Sequence, residues 1–504
     1  MFEPWLQRWW RPLLAASITL HVTQLFGALL EPDAALYATI ARHMAESGDL
    51  VNLIAYEQRW LDKPHLPFWL TAISFKLFGL NEVAYRLPGV AIFFVGVAYT
   101  WRLGRLLFDD TVAKLAVLIL LTSQHVVMSS ADVRAEPYLI GFVTAAVFHS
   151  LRARESWRDL VLGSLFTALA MMTKGPFVVV PIIAANYRNL VTWRVLPFAV
   201  LTALYLCPEL FCLWKQFGAP GVRFFFWDSQ FGRFTNTGPI VGRGHWHFFF
   251  HTVLWSFLPW ALWLYVAAFK VRGPMLAASL SLFVLFSASS FQLAHYLNVA
   301  FPFFSLLVAA WLSKDDSRLV ALGGWPLLMG QSALGIGLLL INESFAAAAL
   351  LACALVVALV RFQPTTPANM FLRMTVMSLA FNFALGFAWW PELLRYQVGA
   401  DAARLANRLE PVPTALVGVE SLGFAFHLRE PVQRFAVDDL RSVTHVKRAL
   451  MRADSVESLR QFGFSVTELE HYEHFHVSKL NVPFVLRKTR SSATERWVLV
   501  ELRR

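Results

Sequence analysis

The sequence predicts a polytopic α-helical membrane protein of about 13 transmembrane helices, with interfacial helices and a small C-terminal α/β domain. Three observations predict it. Of the 504 residues, 57% are hydrophobic and only 15% are charged. A soluble domain carries about 25% charged residues. Apolar runs long enough to span a bilayer, roughly 20 residues each, recur from residue 12 to residue 390. Between them, arginines and lysines cluster in every second loop, the arrangement expected of loops on the cytoplasmic side.

Taken in order, the spans are expected near 12–30, 83–101, 111–130, 136–151, 159–173, 175–190, 194–213, 247–269, 274–291, 294–312, 318–341, 344–361 and 369–390. The first follows Trp9-Trp10-Arg11 and lacks a small-residue cleavage site, so it reads as an uncleaved span. The inside loops are marked by Arg8 and Arg11, Arg102 and Arg105, Arg152 with Arg154 and Arg158, Arg188 with Arg194, Lys270 with Arg272, Lys314 with Arg318, and Arg361. Residue 174 ends one span at a Lys174-Gly175-Pro176 turn.

Three outer segments depart from this pattern by carrying positive charge: 31–82, the neighbourhood of Arg134, and 214–246. An anionic ligand on that side, such as a lipid phosphate, accounts for cations that topology disfavours. Within 31–82, Leu36, Tyr37, Ile40 and Met44 form one apolar face of a helix over 33–47, and 66–79 reads as a second helix on the membrane surface.

After residue 390 the apolar runs stop. Alternating stretches at Thr414–Val419, Val432–Val437, Phe464–Leu469 and Trp497–Leu502, with a helix near Ser455–Phe462, predict the soluble α/β domain over 391–504. An inside N-terminus and thirteen spans put it on the outer side. The net charge of +11 is spread over short loops rather than gathered on a soluble face, which argues against nucleic acid. Cys207, Cys212 and Cys353 all fall in apolar segments and form neither a disulfide framework nor a metal motif.

Chemistry-bearing residues collect at the outer ends of helices: Asp33, Asp62, Lys63, Glu136 and Lys174. Singly, each has a plain structural role. Asp33 suits a helix N-cap, Glu136-Pro137 opens a helix, and Lys174 has the reach to snorkel. Together they suit glycosyl transfer: a carboxylate takes the proton of an attacking hydroxyl, and cations hold a departing phosphate. The segment Arg223 to Phe234 mixes aromatics, Trp227 among them, with Arg223 and Arg233, and pairs either with a sugar phosphate or with the membrane interface. His295-Tyr296 opens a later span on the same side.

Pro32-Asp33, Tyr37-Ala38, Ser47-Gly48-Asp49, Lys63-Pro64, Trp69, Phe78-Gly79 and Arg86-Leu87-Pro88 resemble the first outer loop of the protein mannosyltransferase-like GT-C glycosyltransferases, in particular the lipid A aminoarabinose transferase-like branch. Glu136-Pro137, Met172-Thr173-Lys174-Gly175, Phe226-Trp227, Arg233-Phe234, Leu258-Pro259-Trp260, Ser287 and His295-Tyr296 continue the resemblance in family order over about residues 10–310. It implies a GT-C fold and an inverting inner-membrane transferase that takes its sugar from a polyprenyl (undecaprenyl) monophosphate donor.

The acceptor implied is a lipid A-like lipid or an envelope glycan, with protein hydroxyls as the alternative. The resemblance makes Asp33 the catalytic carboxylate and Glu136 a second acid. Lys63 and Lys174, with Arg134 and Arg233, become donor-phosphate contacts, and Tyr37, Trp227, His295 and Tyr296 become substrate contacts. Asp62 is assigned either to a divalent metal or to positioning Lys63; cofactors otherwise stay open. Ala34, Leu36, Gln230, Ser290 and Gln292 stand where family members carry polar or charged residues, so sugar and acceptor stay open. The rival class, a transporter or lipid flippase, calls for repeated halves with midplane charge, and neither is visible.

Overall fold

The computed structural model describes residues 2–55, 58–188, 192–237, 241–314, 323–361, 366–443 and 445–504. Each of the thirteen expected spans contains helix; Arg318, residues 318–322 and residues 189–190 lie outside the described residues. Among those described, four helical stretches are long and apolar enough to cross a bilayer: Glu82–Leu107, Val195–Phe217, Ala294–Leu312 and Pro367–Leu394. Two more stretches are bent pairs, Asp110–Thr122 with Gln124–Ala131 (57°) and Phe248–Ser256 with Ala261–Lys270 (119°). The remaining apolar helices are shorter. The structure therefore sets a mostly helical, membrane-type architecture; the count of thirteen crossings is a finer statement than these lengths give.

The first helix differs from expectation. It runs Glu3–Thr23 with Pro12 inside it, rather than starting at Pro12 and reaching Leu30. Its end has a physical cause. The buried Arg86 donates to the carbonyls of Leu25, Gly27 and Ala28 at 3.0, 2.6 and 2.6 Å, and to that of Ala131 at 2.6 Å. It gathers carbonyls of the stretch that follows the helix and of Ala131, where helix Gln124–Ala131 ends.

The helices expected from the apolar face of 33–47 and from the short apolar run 66–79 lie at Asp33–Ser47 and Leu66–Phe78. Between them lies a short antiparallel hairpin of β1 (Ile54–Ala55) and β2 (Gln58–Arg59). The C-terminal region holds a five-stranded mixed sheet of β3 (Thr414–Val417), β4 (Gln433–Phe435), β5 (Arg448–Arg452), β6 (Ser465–His474) and β7 (Glu495–Arg503), in the order β4-β3-β5-β7-β6. β5 escapes the alternation rule because it is buried on both faces, as central parallel strands are. The change of composition at residue 391 falls inside the helical stretch Pro367–Leu394, so helix continues across it.

Helix Asp33–Ser47 is strapped to the sheet region at both ends. The Glu31 carboxylate accepts from the Ser421 hydroxyl (3.0 Å) and the N–H groups of Leu422 (3.2 Å) and Gly423 (2.9 Å). These begin the short helix Leu422–His427. At its other end Arg42 donates to the carbonyls of Phe426 (2.9 Å) and Arg429 (3.1 Å). A carboxylate at the N-terminus and a guanidinium at the C-terminus match the free N–H and C=O groups there. Gly423 permits the approach: a Cβ on it would lie 2.4 Å from Glu31 Oε1.

Candidate active site

Asp33 is the first residue of its helix, with Pro32 at the cap, and its side chain does not cap it. Instead Asp33 Oδ2 accepts from Arg134 Nη1 at 2.6 Å, and 43% of the side chain stays exposed. The second nitrogen of Arg134, Nη2, lies 2.6 Å from Asp132 Oδ2. One guanidinium thus bridges two carboxylates. Burial works against the charge of Arg134, but Asp132 and Asp33 outweigh it and hold its proton more firmly than usual. Burial pushes the Asp132 carboxyl up, with Arg134 opposing. Asp132 carried no signal beyond its place two residues before Arg134, and the sequence reading missed it.

Glu136 also opens a helix, ahead of Pro137, and is buried. Its Oε1 lies 2.6 Å from Lys174 Nζ and 3.8 Å from His295 Nε2. Lys174 ends its helix at Gly175, whose φ of +109° turns the chain. Only 9% of its side chain is exposed, so it points inward rather than snorkelling, and its ammonium sits 4.1 Å from the centre of the Tyr296 ring. Gln230 holds this turn. Its Nε2 is 3.5 Å from the Lys174 carbonyl and would be 2.4 Å from any Cβ on residue 175.

A third cluster centres on Asp62, which is paired with Lys63 and lies 3.3 Å from Arg233 Nη2. Arg233 Nη1 donates to the Tyr296 hydroxyl at 3.2 Å. Asp62 is therefore placed between two cations, and this donor set does not suit a divalent metal, which wants several oxygen ligands. Among the described residues no group of three or more His, Cys, Asp or Glu is disposed to hold a metal ion.

The three clusters wall one cavity of about 430 Å³, lined by Asp33, Tyr37, Asp62, Lys63, Arg134, Glu136, Lys174, Arg233, His295 and Tyr296. All but one of the sequence candidates meet here. Trp227 does not. It is 57% exposed and packs on Phe231 at 4.7 Å, and Phe224 from the same segment faces the cavity instead. Trp60 and Phe291 also line it and were not among the candidates. Tyr37 packs edge-on against Trp60 and Phe68; burial first, then Asp62, Asp33 and Glu136, push its hydroxyl well above the usual tyrosine range.

Such a cavity holds a carboxylate bound through one oxygen, with 43% of its side chain exposed, and several cations able to hold a polyanionic group. A mostly helical, membrane-type fold with this charged cavity at the ends of its helices is the class that the structure defines.

Comparison with known proteins narrows the class. Residues 62–211 match the model of the dolichyl-phosphate-mannose-protein mannosyltransferase family. The undecaprenyl phosphate-α-4-amino-4-deoxy-L-arabinose arabinosyl transferase of Edwardsiella ictaluri (strain 93-146) is 27% identical over 334 residues, 60% of this chain and 59% of that protein. Its counterpart in Pseudomonas aeruginosa (strain LESB58) is 28% identical over 400 residues, 74% of this chain and 69% of its own length. The matched stretch thus spans somewhat more than half the length of the first of these. The crystal structure of ArnT from Cupriavidus metallidurans bound to undecaprenyl phosphate superposes with a TM-score of 0.75, covering 98% of both chains at 21% identity, and shows the same fold. Over residues 62–211 the chain is thus similar to the protein mannosyltransferase family, in line with the resemblance of its outer-loop motifs.

Proposed function

We propose that the protein moves a sugar, with inversion, from a polyprenyl (undecaprenyl) monophosphate donor to a lipid A-like lipid or an envelope glycan. The observation that carries this reading is the meeting of the Asp33 carboxylate with Lys63, Lys174 and Arg233 in one cavity. The relatives named above, aminoarabinose transferases that use undecaprenyl phosphate donors, support the substrate class.

In the proposed reaction an acceptor hydroxyl attacks the anomeric carbon. Its proton passes to Asp33 Oδ1, to which no described residue donates a hydrogen bond. The bond from the anomeric carbon to the phosphate oxygen breaks, and the phosphate departs with the electron pair. Lys63, Lys174 and Arg233 receive its growing charge. Asp62 and Glu136 aim these cations, and Arg134 orients Asp33 rather than meeting the phosphate, since two carboxylates occupy its terminal nitrogens. Tyr37, His295 and Tyr296 supply the wall against the sugar.

The reading places the protein in a bacterial inner membrane with the cavity facing the periplasm. Residues 1–390 form the catalytic membrane region and 391–504 an outer soluble domain. A purified assay with a polyprenyl-phosphate sugar tests it. Asp33→Asn, which keeps shape but removes the base, should cut turnover about 10²–10⁴-fold, and Lys63→Ala should weaken donor binding. Near-normal turnover in Asp33→Asn would remove it as the base.

A further inference from the structure

Helix Val195–Phe217 carries one acidic residue, Glu209, and it is fully buried. Elsewhere the helix turns large apolar side chains outward, among them Leu204, Phe211 and Trp214. Its buried residues, Leu206, Glu209, Cys212, Leu213 and Gln216, form one stripe along a single face. An ionisable side chain within an apolar span is costly unless it is paired.

The partner of Glu209 comes from the first outer segment. Glu209 Oε2 accepts from the backbone N–H of His65 at 3.0 Å, and Oε1 lies 2.9 Å from His65 Nδ1. The His65 ring is itself fully buried, and its Nε2 donates to the Val51 carbonyl at 2.9 Å. A carbonyl only accepts, so Nε2 carries a proton. One further proton in the contact between Nδ1 and Oε1, on either atom, leaves the pair without net charge and removes the cost of a lone buried ion. Farther along the same stripe, Gln216 exchanges hydrogen bonds with Leu53. It accepts from the N–H at 3.1 Å and donates to the carbonyl at 3.0 Å. Arg59 adds a bond to the Gln216 carbonyl at 2.9 Å.

These contacts reach Lys63 because the chain between is short and stiff. Lys63, Pro64 and His65 are consecutive. Proline fixes its own φ and biases the residue before it to extended backbone. Holding His65 by both its backbone and its ring therefore sets where the Lys63 side chain begins. His65 precedes helix Leu66–Phe78, yet its side chain does not cap that helix; it is committed to Glu209 and Val51. Lys63 lines the reaction cavity, and neither His65 nor Glu209 is among the lining residues.

We propose, on the reading of Lys63 as a donor-phosphate contact, that Glu209 acts through His65 as a positioning residue for Lys63. The buried stripe of helix Val195–Phe217 is then the template on which the phosphate-contacting loop is set.

The test measures binding of undecaprenyl monophosphate to the full-length protein in detergent by calorimetry. The paired change Glu209→Met/His65→Leu removes both partners at once and leaves no buried charge alone. It should weaken binding about tenfold, the scale of residues that act on a ligand without touching it. Gln216→Ala, which releases the loop at Leu53 and leaves no charge unpaired, should weaken it about threefold. Glu209→Gln should bind within about twofold of wild type, since its amide oxygen can accept from the His65 N–H while its NH₂ donates to Nδ1. In a Lys63→Ala background the paired change should cost less than about a further twofold, because independent effects add and a shared one does not. Wild-type affinity in the paired variant, beside a weakened Lys63→Ala, would overturn the positioning role alone. Full additivity with Lys63→Ala would overturn it too, as a general loosening of the fold, and so would Glu209→Gln as weak as the paired variant, as an effect of charge itself. Wild-type affinity in Gln216→Ala would overturn the template. Undiminished binding by Lys63→Ala would overturn the reading of Lys63 and the positioning role with it.

Discussion

In the proposed reaction Asp33 takes the acceptor's proton, and its surroundings separate two roles that its position permits. An aspartate at the start of a helix is usually occupied by its own backbone. Here the cap falls to Pro32 and the carboxylate turns to Arg134. Lys174 follows the same logic: an interface lysine in sequence, it is a buried partner of Glu136 in the fold. A different single residue sets a pH response. His474 stacks on Trp497 at 3.7 Å, and neither ring nitrogen has a hydrogen-bond partner among the described residues. Burial, then His476 and Arg452, lowers its pKa from 6.5 to about 3. Between those values the unfolded chain binds the proton and the folded one does not, so stability falls as pH drops from about 6.5 toward about 3. Thermal unfolding of the full-length protein should show a lower Tm at pH 5 than at pH 7, with a smaller drop in His474→Phe. An equal drop in both would assign the pH response elsewhere.

At the scale of elements, helix Asp33–Ser47 is read correctly from its apolar face and helix Leu66–Phe78 from its short apolar run. Both signals are local and survive any tertiary arrangement. The strapping of the first to helix Leu422–His427 is not local, since Glu31 and Ser421 are 390 positions apart. Charge-assisted hydrogen bonds contribute about 1.5–3 kcal/mol each in favourable settings. Glu31→Ala would leave the Ser421 hydroxyl and two backbone N–H groups without that acceptor. We expect a loss of about 2 kcal/mol in stability and a fall of about tenfold in kcat, because Asp33 sits two residues away. Thermal unfolding and turnover measured on the same preparation check it. Turnover equal to wild type would show that the strap holds the regions together without placing Asp33. Trp227 illustrates the opposite error, where an aromatic stretch gives no phase: Phe224 turns in and Trp227 turns out.

Across the whole molecule, the alternation of basic loops makes a topological prediction. With Cys207, Cys212 and Cys353 replaced by serine, Glu457→Cys should react with an impermeant maleimide in intact cells, and Glu155→Cys only after permeabilisation. Both parent side chains are exposed. The reverse pattern would invert the protein and with it the periplasmic reaction site. The sequence by itself determined the membrane class and the helical segments, which depend on composition or on a short repeat along the chain, and hydrophobic transfer acts on such patterns whatever the fold. Most of the cavity's residues were legible differently, from charged residues at helix ends and from motifs that resemble a family. Tertiary structure decided which partners those residues keep. Arg134 between Asp33 and Asp132, Asp62 between Lys63 and Arg233, and Glu31 in the sheet region all join groups far apart in sequence. A charge is costly at low dielectric unless it is paired, and only the folded chain shows which pairs can form.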